Sequence, residues 1–212
     1  MKKDYAMAEL LGIMCGDGCL SGSNSQVKYY VYCSGNSLKD NDYMKRHVPH
    51  LFYQVFGKFI KAHERKDENT IFIKFSDKKL FKKLQKLEIP VGNKYSLLKI
   101  PDFVLKSKRR QLAFIRGLFD TDGCVILSRQ HRKQPYYPRI EIKSKSCSFL
   151  NSVLLLLKNH GLTGSISRNA ANYRLEVAGF KNLTLWRSAI GSSNKRNLTQ
   201  LYIASKTYLN AF

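Results

Sequence analysis

The sequence predicts an α+β fold of two similar halves, each running helix, two strands, helix, two strands, helix. Three observations predict it. Residues 10–18, LLGIMCGDG, return at 115–123 as IRGLFDTDG, so Gly12 and Gly117, Asp17 and Asp122, and Gly18 and Gly123 match at an offset of 105. The echo continues through each half with an offset drifting from 109 to 101, as loops of unequal length within one design require. The 212 residues, 43% of them hydrophobic, are enough to bury a substantial core.

Taken in order, Tyr5 to Gly16 and Gln111 to Thr121 read as helices that stop at Gly18 and Gly123. Both are apolar on most faces and should be buried. Gly12 with Gly16, and Gly117 with Thr121, place small residues one turn apart, which lets two helix backbones approach closely. The economical arrangement packs these two helices on each other at the centre. Tyr30–Cys33 before Gly35-Asn36-Ser37 reads as a strand, as does Arg139–Ile142 before Ser144-Lys145-Ser146. A helical run ending near Gly57 parallels Leu150–Leu157, which ends at Gly161. Strands at Ile71–Phe75 and Tyr173–Val177 follow, then the paired dipeptides Asn93-Lys94 and Asn194-Lys195. Pro101 turns Ile100 away from helix and puts the join nearby, giving halves of 1–104 and 105–212. Trp186, the Leu154–Leu157 run and the thiols of Cys15 and Cys19 read as core.

Strand alternation separates two chemistries. Arg139, Glu141, Lys143 and Lys145 share one face and Ile140, Ile142 and Ser144 the other; Lys28, Tyr30, Tyr32 and Ser34 likewise oppose Val31 and Cys33. Such sheets, apolar face on helices and polar face outward, suit a DNA major groove, where long side chains reach base edges. The polar or basic loops Ser21–Gln26 and Ser128–Pro138, the latter with Arg129, Arg132 and Lys133, extend that reach to phosphates.

The charge points the same way. Lys and Arg outnumber Asp and Glu by 37 to 15, a net +22, and so basic a domain calls for a polyanion. Residues 106–212 carry 19 basic side chains and only four acidic ones: Asp120, Asp122, Glu141 and Glu176. No apolar run reaches the length of a membrane span, and Glu9 and Asp17 interrupt what a signal peptide would need. Five cysteines without a C-x-x-C pair argue against a disulfide framework or zinc ribbon. The expectation is a reduced, intracellular protein with no membrane partner. The five histidines form no ligand-spaced set, and no H-N-H nuclease pattern is present.

Two paired helices would bring Asp17 and Asp122 side by side at their carboxyl ends, where partial negative charge already makes an aspartate unfavourable. Two such carboxylates in contact repel by several kcal/mol. A divalent cation resolves the conflict, and hard carboxylate oxygens suit magnesium. Acids sharing metal are also what phosphodiester hydrolysis needs, with a neighbouring cation to orient water and offset charge.

On these residues the chain resembles the LAGLIDADG family of homing endonucleases, its nonamer standing at 10–18 and 115–123, with Ile89-Pro90-Val91-Gly92-Asn93-Lys94 through Ile100-Pro101 also in the family's manner. Two motifs in one chain resemble the monomeric class, which cuts long, asymmetric sites in double-stranded DNA. The resemblance implies a DNA-binding saddle of two antiparallel sheets, and metal ligands at Asp17 and Asp122 with the carbonyls of Gly16 and Thr121. It implies Mg2+ as cofactor, with Mn2+ substituting. It implies supporting groups at Lys78, Lys145 and Asn36, with no clear counterpart of Lys78 in the second half. The nonamer's sixth residue is acidic in the second copy, Asp120, and Cys15 in the first; that position caps a neighbouring helix in the family. Nothing resembles protein-splicing termini, so the expectation is a free-standing chain. Two other readings stay open. Asp122 with Glu141-Ile142-Lys143 mimics a D…E-x-K nuclease. The same scaffold also serves as an intron splicing helper or a non-cleaving DNA-binding protein.

Overall fold

The structure, a computed structural model, describes residues 2–23, 28–128 and 136–209. The first half runs α1 (Lys2–Cys15), β1 (Gly18–Ser23), β2 (Lys28–Asn36), α2 (Val48–Phe56), β3 (His63–Arg65), β4 (Thr70–Ser76) and α3 (Lys78–Lys86). A short helix, α4 (Asp102–Leu105), follows. The second half repeats the order as α5 (Lys108–Asp122), β5 (Gly123–Ser128), β6 (Tyr137–Ser144), α6 (Cys147–Asn159), β7 (Ser165–Asn169), β8 (Asn172–Ala178) and α7 (Phe180–Ala189). It then adds α8 (Lys195–Leu209), an element the repeat does not foretell. Each half holds an antiparallel four-stranded sheet, ordered β1-β2-β4-β3 and β5-β6-β8-β7. This is the two-half α+β architecture expected.

The central pair is α1 and α5. From Ala6 to Cys15 every residue of α1 is buried. A Cβ on Gly12 would strike the carbonyl oxygen of Phe114 and lie 2.9 Å from Leu118 N; one on Gly117 would strike the Glu9 carbonyl oxygen and lie 3.1 Å from Ile13 N. Two backbones in that contact leave no room for a side chain. At the carboxyl end Gly16 faces Thr121, whose hydroxyl would collide with a Cβ there and instead donates to Leu118 O (2.9 Å) within its own helix. Polar ties run down the pair: Arg110 to Asp4 (2.8 Å) and Arg116 to Glu9 (2.5 Å). Burial works against a charged Glu9, yet hydrogen bonds from His47 and Arg116 hold its carboxyl down at about 2.

The sheets lay their apolar faces on these helices. Val31, Cys33, Ile71 and Ile73 of the first sheet, and Ile140, Ile142, Leu175 and Val177 of the second, are buried in one core. Trp186 is fully buried, as expected, and stacks edge-on to Phe119. Leu155 departs from expectation: it is 61% exposed, because α6 turns it outward while Leu154, Leu156 and Leu157 face inward. The expected loops are shorter than read. Ser21–Ser23 pairs with β2, and Ser128 pairs with Tyr137. Among the described residues no helix is long and apolar enough to cross a membrane.

Candidate active site

Asp17 follows the end of α1 and Asp122 closes α5, so the contact of the two helices delivers both carboxylates to one place. They line a common cavity of about 170 Å3 with Gly16, Tyr95, Lys143, Ser144, Lys145 and Asn172. A second cleft, about 240 Å3, adjoins it through Gly16, Asp17 and Tyr95 and is lined also by Tyr32 and Lys94. Burial pushes the Asp122 carboxyl up to about 7, the Asp17 charge adding and Lys94 opposing. Asp17 is raised as well, by burial first, with Lys94 pulling it back. Folding therefore holds two carboxylates where each resists ionisation, and a cation between them would relieve both.

Lys94, absent from the expected site residues, is a cation of the chain that acts on both carboxylates. Its ammonium donates to the carbonyls of Gly16 and Gly18 (2.6 Å for the latter), and more weakly to Met14 O at 3.4 Å. These oxygens end α1, where the helix dipole is negative. Gly92 makes the reach possible: it takes a left-handed φ of +76° and donates to Leu20 O (2.8 Å), while Val91 bridges Leu20 in parallel. The loop thus runs beside β1 and drops Lys94 at the helix end. The motif pairing of Lys94 with Lys195 fails in space. Lys195 is exposed, and in the second half Asn197 amide nitrogen serves the matching carbonyls, Phe119 (3.0 Å) and Gly123 (3.5 Å). Lys94 thus serves the end of α1, while Asn197 serves the end of α5 together with Asn194 (3.1 Å) and Arg196 (3.4 Å) on Asp120 O.

The sixth nonamer residue of the second copy ties α5 to the turn ahead of α8, whose cap is Asn194. Asp120 accepts from the Ser192 hydroxyl and from Ser193 N (2.7 Å), holding the turn before α8; burial raises its carboxyl to about 6. Asp40 joins this network from the first half through Asn194 (2.8 Å) and Arg196 (3.2 Å). Cys15, in the equivalent place on α1, is buried, and burial raises its thiol to about 12.

Lys145 lies in the carboxylate cavity, its ammonium 5.1 Å from the Tyr95 ring. Lys78 does not line it. It opens α3 over the Tyr29 ring (5.3 Å), and Asp77 N bonds Tyr29 O, whereas Gly18 beside Asp17 pairs with Cys33. Tyr29 and Cys33 are four residues apart on β2, roughly 13 Å. Asn36 has its side-chain oxygen engaged by the N–H groups of Leu38 and Lys39, both 3.0 Å, as a turn former.

On the open sheet faces, Lys28 is exposed and Tyr30, Tyr32 and Ser34 half-buried, opposite buried Val31 and Cys33. Lys74 sits over the Tyr30 ring (4.7 Å), and Tyr32 stacks on Phe72. Arg139 and exposed Lys143 line the second sheet. Glu141 does not behave as a reader of bases. It is 3% exposed and accepts from Arg174 (3.3 Å), while Arg139 reaches Glu176 (3.4 Å). Glu141 stands directly opposite Glu176, so two arginines are needed to neutralise two facing acids, a demand set by cross-strand register. This also removes Glu141 from the D…E-x-K reading. Arg129, Arg132 and Lys133 lie outside the described residues.

Hard oxygens alone could hold a metal here. Among the described residues no group of three or more His, Cys, Asp and Glu is so placed. Asp17, Asp122 and Gly16 line the cavity and offer hard oxygens of the kind Mg2+ takes, an ion that uses few protein ligands and keeps its waters.

Comparison with known proteins places the fold. Residues 110–212 match the LAGLIDADG-like domain model. The fold is shared with the homing endonuclease I-DmoI in complex with DNA and Ca (TM-score 0.66, 17% identity, 96% of this chain and 100% of that one). It is shared also with mesophilic variants of I-DmoI (0.64, 19%, 90% and 97%) and with full-length DUF199/WhiA from Thermatoga maritima (0.62, 16%, 97% and 61%). Residues 110–212 thus belong to the LAGLIDADG-like domain family, and the whole chain has the two-half fold of I-DmoI. Among curated proteins it is 30% identical over 197 residues, 92% of its length, to "Probable translation initiation factor IF-2" of Thermococcus kodakarensis. It is 29% identical over 162 residues, 74% of its length, to a DNA polymerase of Thermococcus litoralis. It spans only 15% and 8% of those two proteins.

Proposed function

We propose that this chain is a site-specific, divalent-metal-dependent endonuclease that cuts both strands of duplex DNA. One observation carries the reading: two aspartates from two copies of one motif, raised in pKa, share a cleft flanked by Lys94, Lys143 and Lys145. Folding gains nothing from pressing two carboxylates together, whereas phosphodiester hydrolysis uses them. The matched curated relatives support a segment reading, since an initiation factor and a polymerase share no named activity and the likeness is confined to a small part of each. I-DmoI has been crystallised with DNA and Mn, with DNA and Ca, and with target DNA and Mg, which favours the same class of ion here.

Asp17 and Asp122, with the carbonyls of Gly16 and Thr121, would hold Mg2+, with Mn2+ substituting. When bound, the ion activates water and stabilises charge on the leaving oxygen. Lys94 donates to Gly16 O and would share that oxygen with the ion. Lys145 and Lys143 supply positive charge facing the scissile phosphates, and Tyr30, Tyr32, Lys28, Ser34, Arg139 and Lys143 face the duplex. Duplication within one chain suits a monomer on a long, asymmetric site. The DUF199/WhiA likeness means the fold alone does not assign cleavage, so the carboxylates must.

The test is cleavage of a randomised plasmid library in Mg2+, with product ends sequenced. Wild-type chain should linearise a defined subset. Asp17→Asn and Asp122→Asn should each abolish double-strand cutting while duplex affinity changes by less than about threefold, a range typical of losing a group outside the phosphate contacts. Undiminished cutting by both variants would overturn the proposal.

A further inference from the structure

The first half carries a basic surface that the carboxylate cleft does not use. Helix α3 holds five lysines in nine residues and no acid, and its first two residues, Lys78 and Lys79, stand at the positive end of the helix dipole. A solvated helix face ordinarily mixes signs. Lys3, Lys58, Lys79 and Lys83 converge on a pocket of about 680 Å3 between the start of α1, the end of α2 and α3. Its one carboxylate, Asp77, is already engaged by Lys58 and by Leu80 N (2.9 Å), which hold it below the usual carboxylate range. Net positive charge therefore remains.

Beside it lies an aromatic platform. Phe59 follows Lys58 and is 82% exposed; Tyr53 is 46% exposed; their ring centroids are 4.3 Å apart. An exposed pair of rings next to clustered ammonium groups matches the chemistry of unpaired nucleic acid, bases stacking and phosphates pairing. A duplex offers no free base faces. The location also separates this surface from the sheets' open faces. Leu80, Phe81 and Leu84 of α3 pack on the buried side of the first sheet, Phe81 edge-on to Tyr29 (5.4 Å), so the lysines look away from its open face. Lys3 and Asp17 bracket α1, roughly 21 Å apart at its rise per residue.

We infer that the Lys3–Lys58–Lys79–Lys83 pocket and the Tyr53–Phe59 rings form a second nucleic-acid site, for single strands. It is independent of the duplex reading and of Asp17 and Asp122. Fluorescence anisotropy with the full chain tests it, using labelled single-stranded RNA, single-stranded DNA and duplex DNA of about 16 nucleotides. A Lys3→Glu, Lys79→Glu, Lys83→Glu variant should lose at least about tenfold in single-strand affinity, with duplex affinity within about threefold. Phe59→Ala, at an exposed position that folding does not need, should lose roughly 5- to 100-fold for single strands and leave heparin binding unchanged. Whichever sugar binds tighter identifies the strand as RNA or DNA. Single-strand affinity unchanged in Phe59→Ala, or duplex affinity falling in step with it in the lysine variant, would overturn the inference.

Discussion

At the scale of single residues, the paired aspartates set the pH behaviour. The Asp122 carboxyl is raised to about 7, while an unfolded chain ionises it near the ordinary ~4. A raised carboxyl costs stability only where it is charged. Below about pH 4 both states are protonated and nothing is lost; between about 4 and 7 the folded state holds a proton the unfolded state has released, so stability falls as pH rises; above about 7 the full destabilisation is present. Asp122→Asn should therefore raise the Tm in EDTA by several degrees at about pH 8, with the gain shrinking to nothing by about pH 4. Calorimetry across that range checks it, and a pH-independent gain would show that relief of charge is not the cause. Glu9 runs the other way. Its carboxyl is held at about 2, so its contribution is whole at neutral pH and is lost as pH falls from the ordinary carboxylate range through about 2. Both aspartates stand out in the sequence because a nonamer repeats. Lys94 is visible as half of a repeated Asn-Lys dipeptide but its place at the site is not, because nothing local says that a left-handed Gly92 will carry it to the end of a helix seventy-odd positions earlier.

At the scale of elements, the α1–α5 contact decides the site. Gly12 and Gly117 each abut the backbone of the opposing helix, so Gly12→Ala must force the pair apart. The expected loss is about 1–3 kcal/mol, or roughly 2–12 °C in Tm. Cleavage should suffer in parallel, because the same shift separates Asp17 from Asp122. A Tm equal to wild type would mean the helices have slack that the backbone contact denies. The strands were legible from their alternation, and the identity of the open face with it. Which polar residues stay available was not. Glu141 looks like a reader of bases along its own strand, yet it is consumed by Arg174 on the neighbouring one. Lys78 looks like a site lysine by its motif, yet β2 is long enough to put it at the far end of the sheet.

At the scale of the whole molecule, the charge predicts how binding responds to salt. If about eight phosphates are neutralised, duplex affinity should fall roughly 10³–10⁵-fold between about 50 and 200 mM salt. A shallow response, measured by titration at several salt concentrations, would count against an extended phosphate interface on the two sheets. The two halves are alike in topology and unlike in electrostatics. Lys94 from a loop serves the end of α1, Asn197 and Arg196 from α8 serve the end of α5, and the first sheet presents Tyr30, Tyr32 and Phe72 where the second presents Arg139 and Arg174. The sequence by itself determined the duplication, the α+β order, the touching glycines and the meeting of Asp17 with Asp122, because each is written in spacing along one element or in the repeat of a motif. Only the tertiary structure decided which cation reaches the carboxylates, which charges cancel across strands and which lysines collect on the far side of α3. Those depend on neighbours brought together by register and loop path, and a one-dimensional pattern does not encode distance between segments.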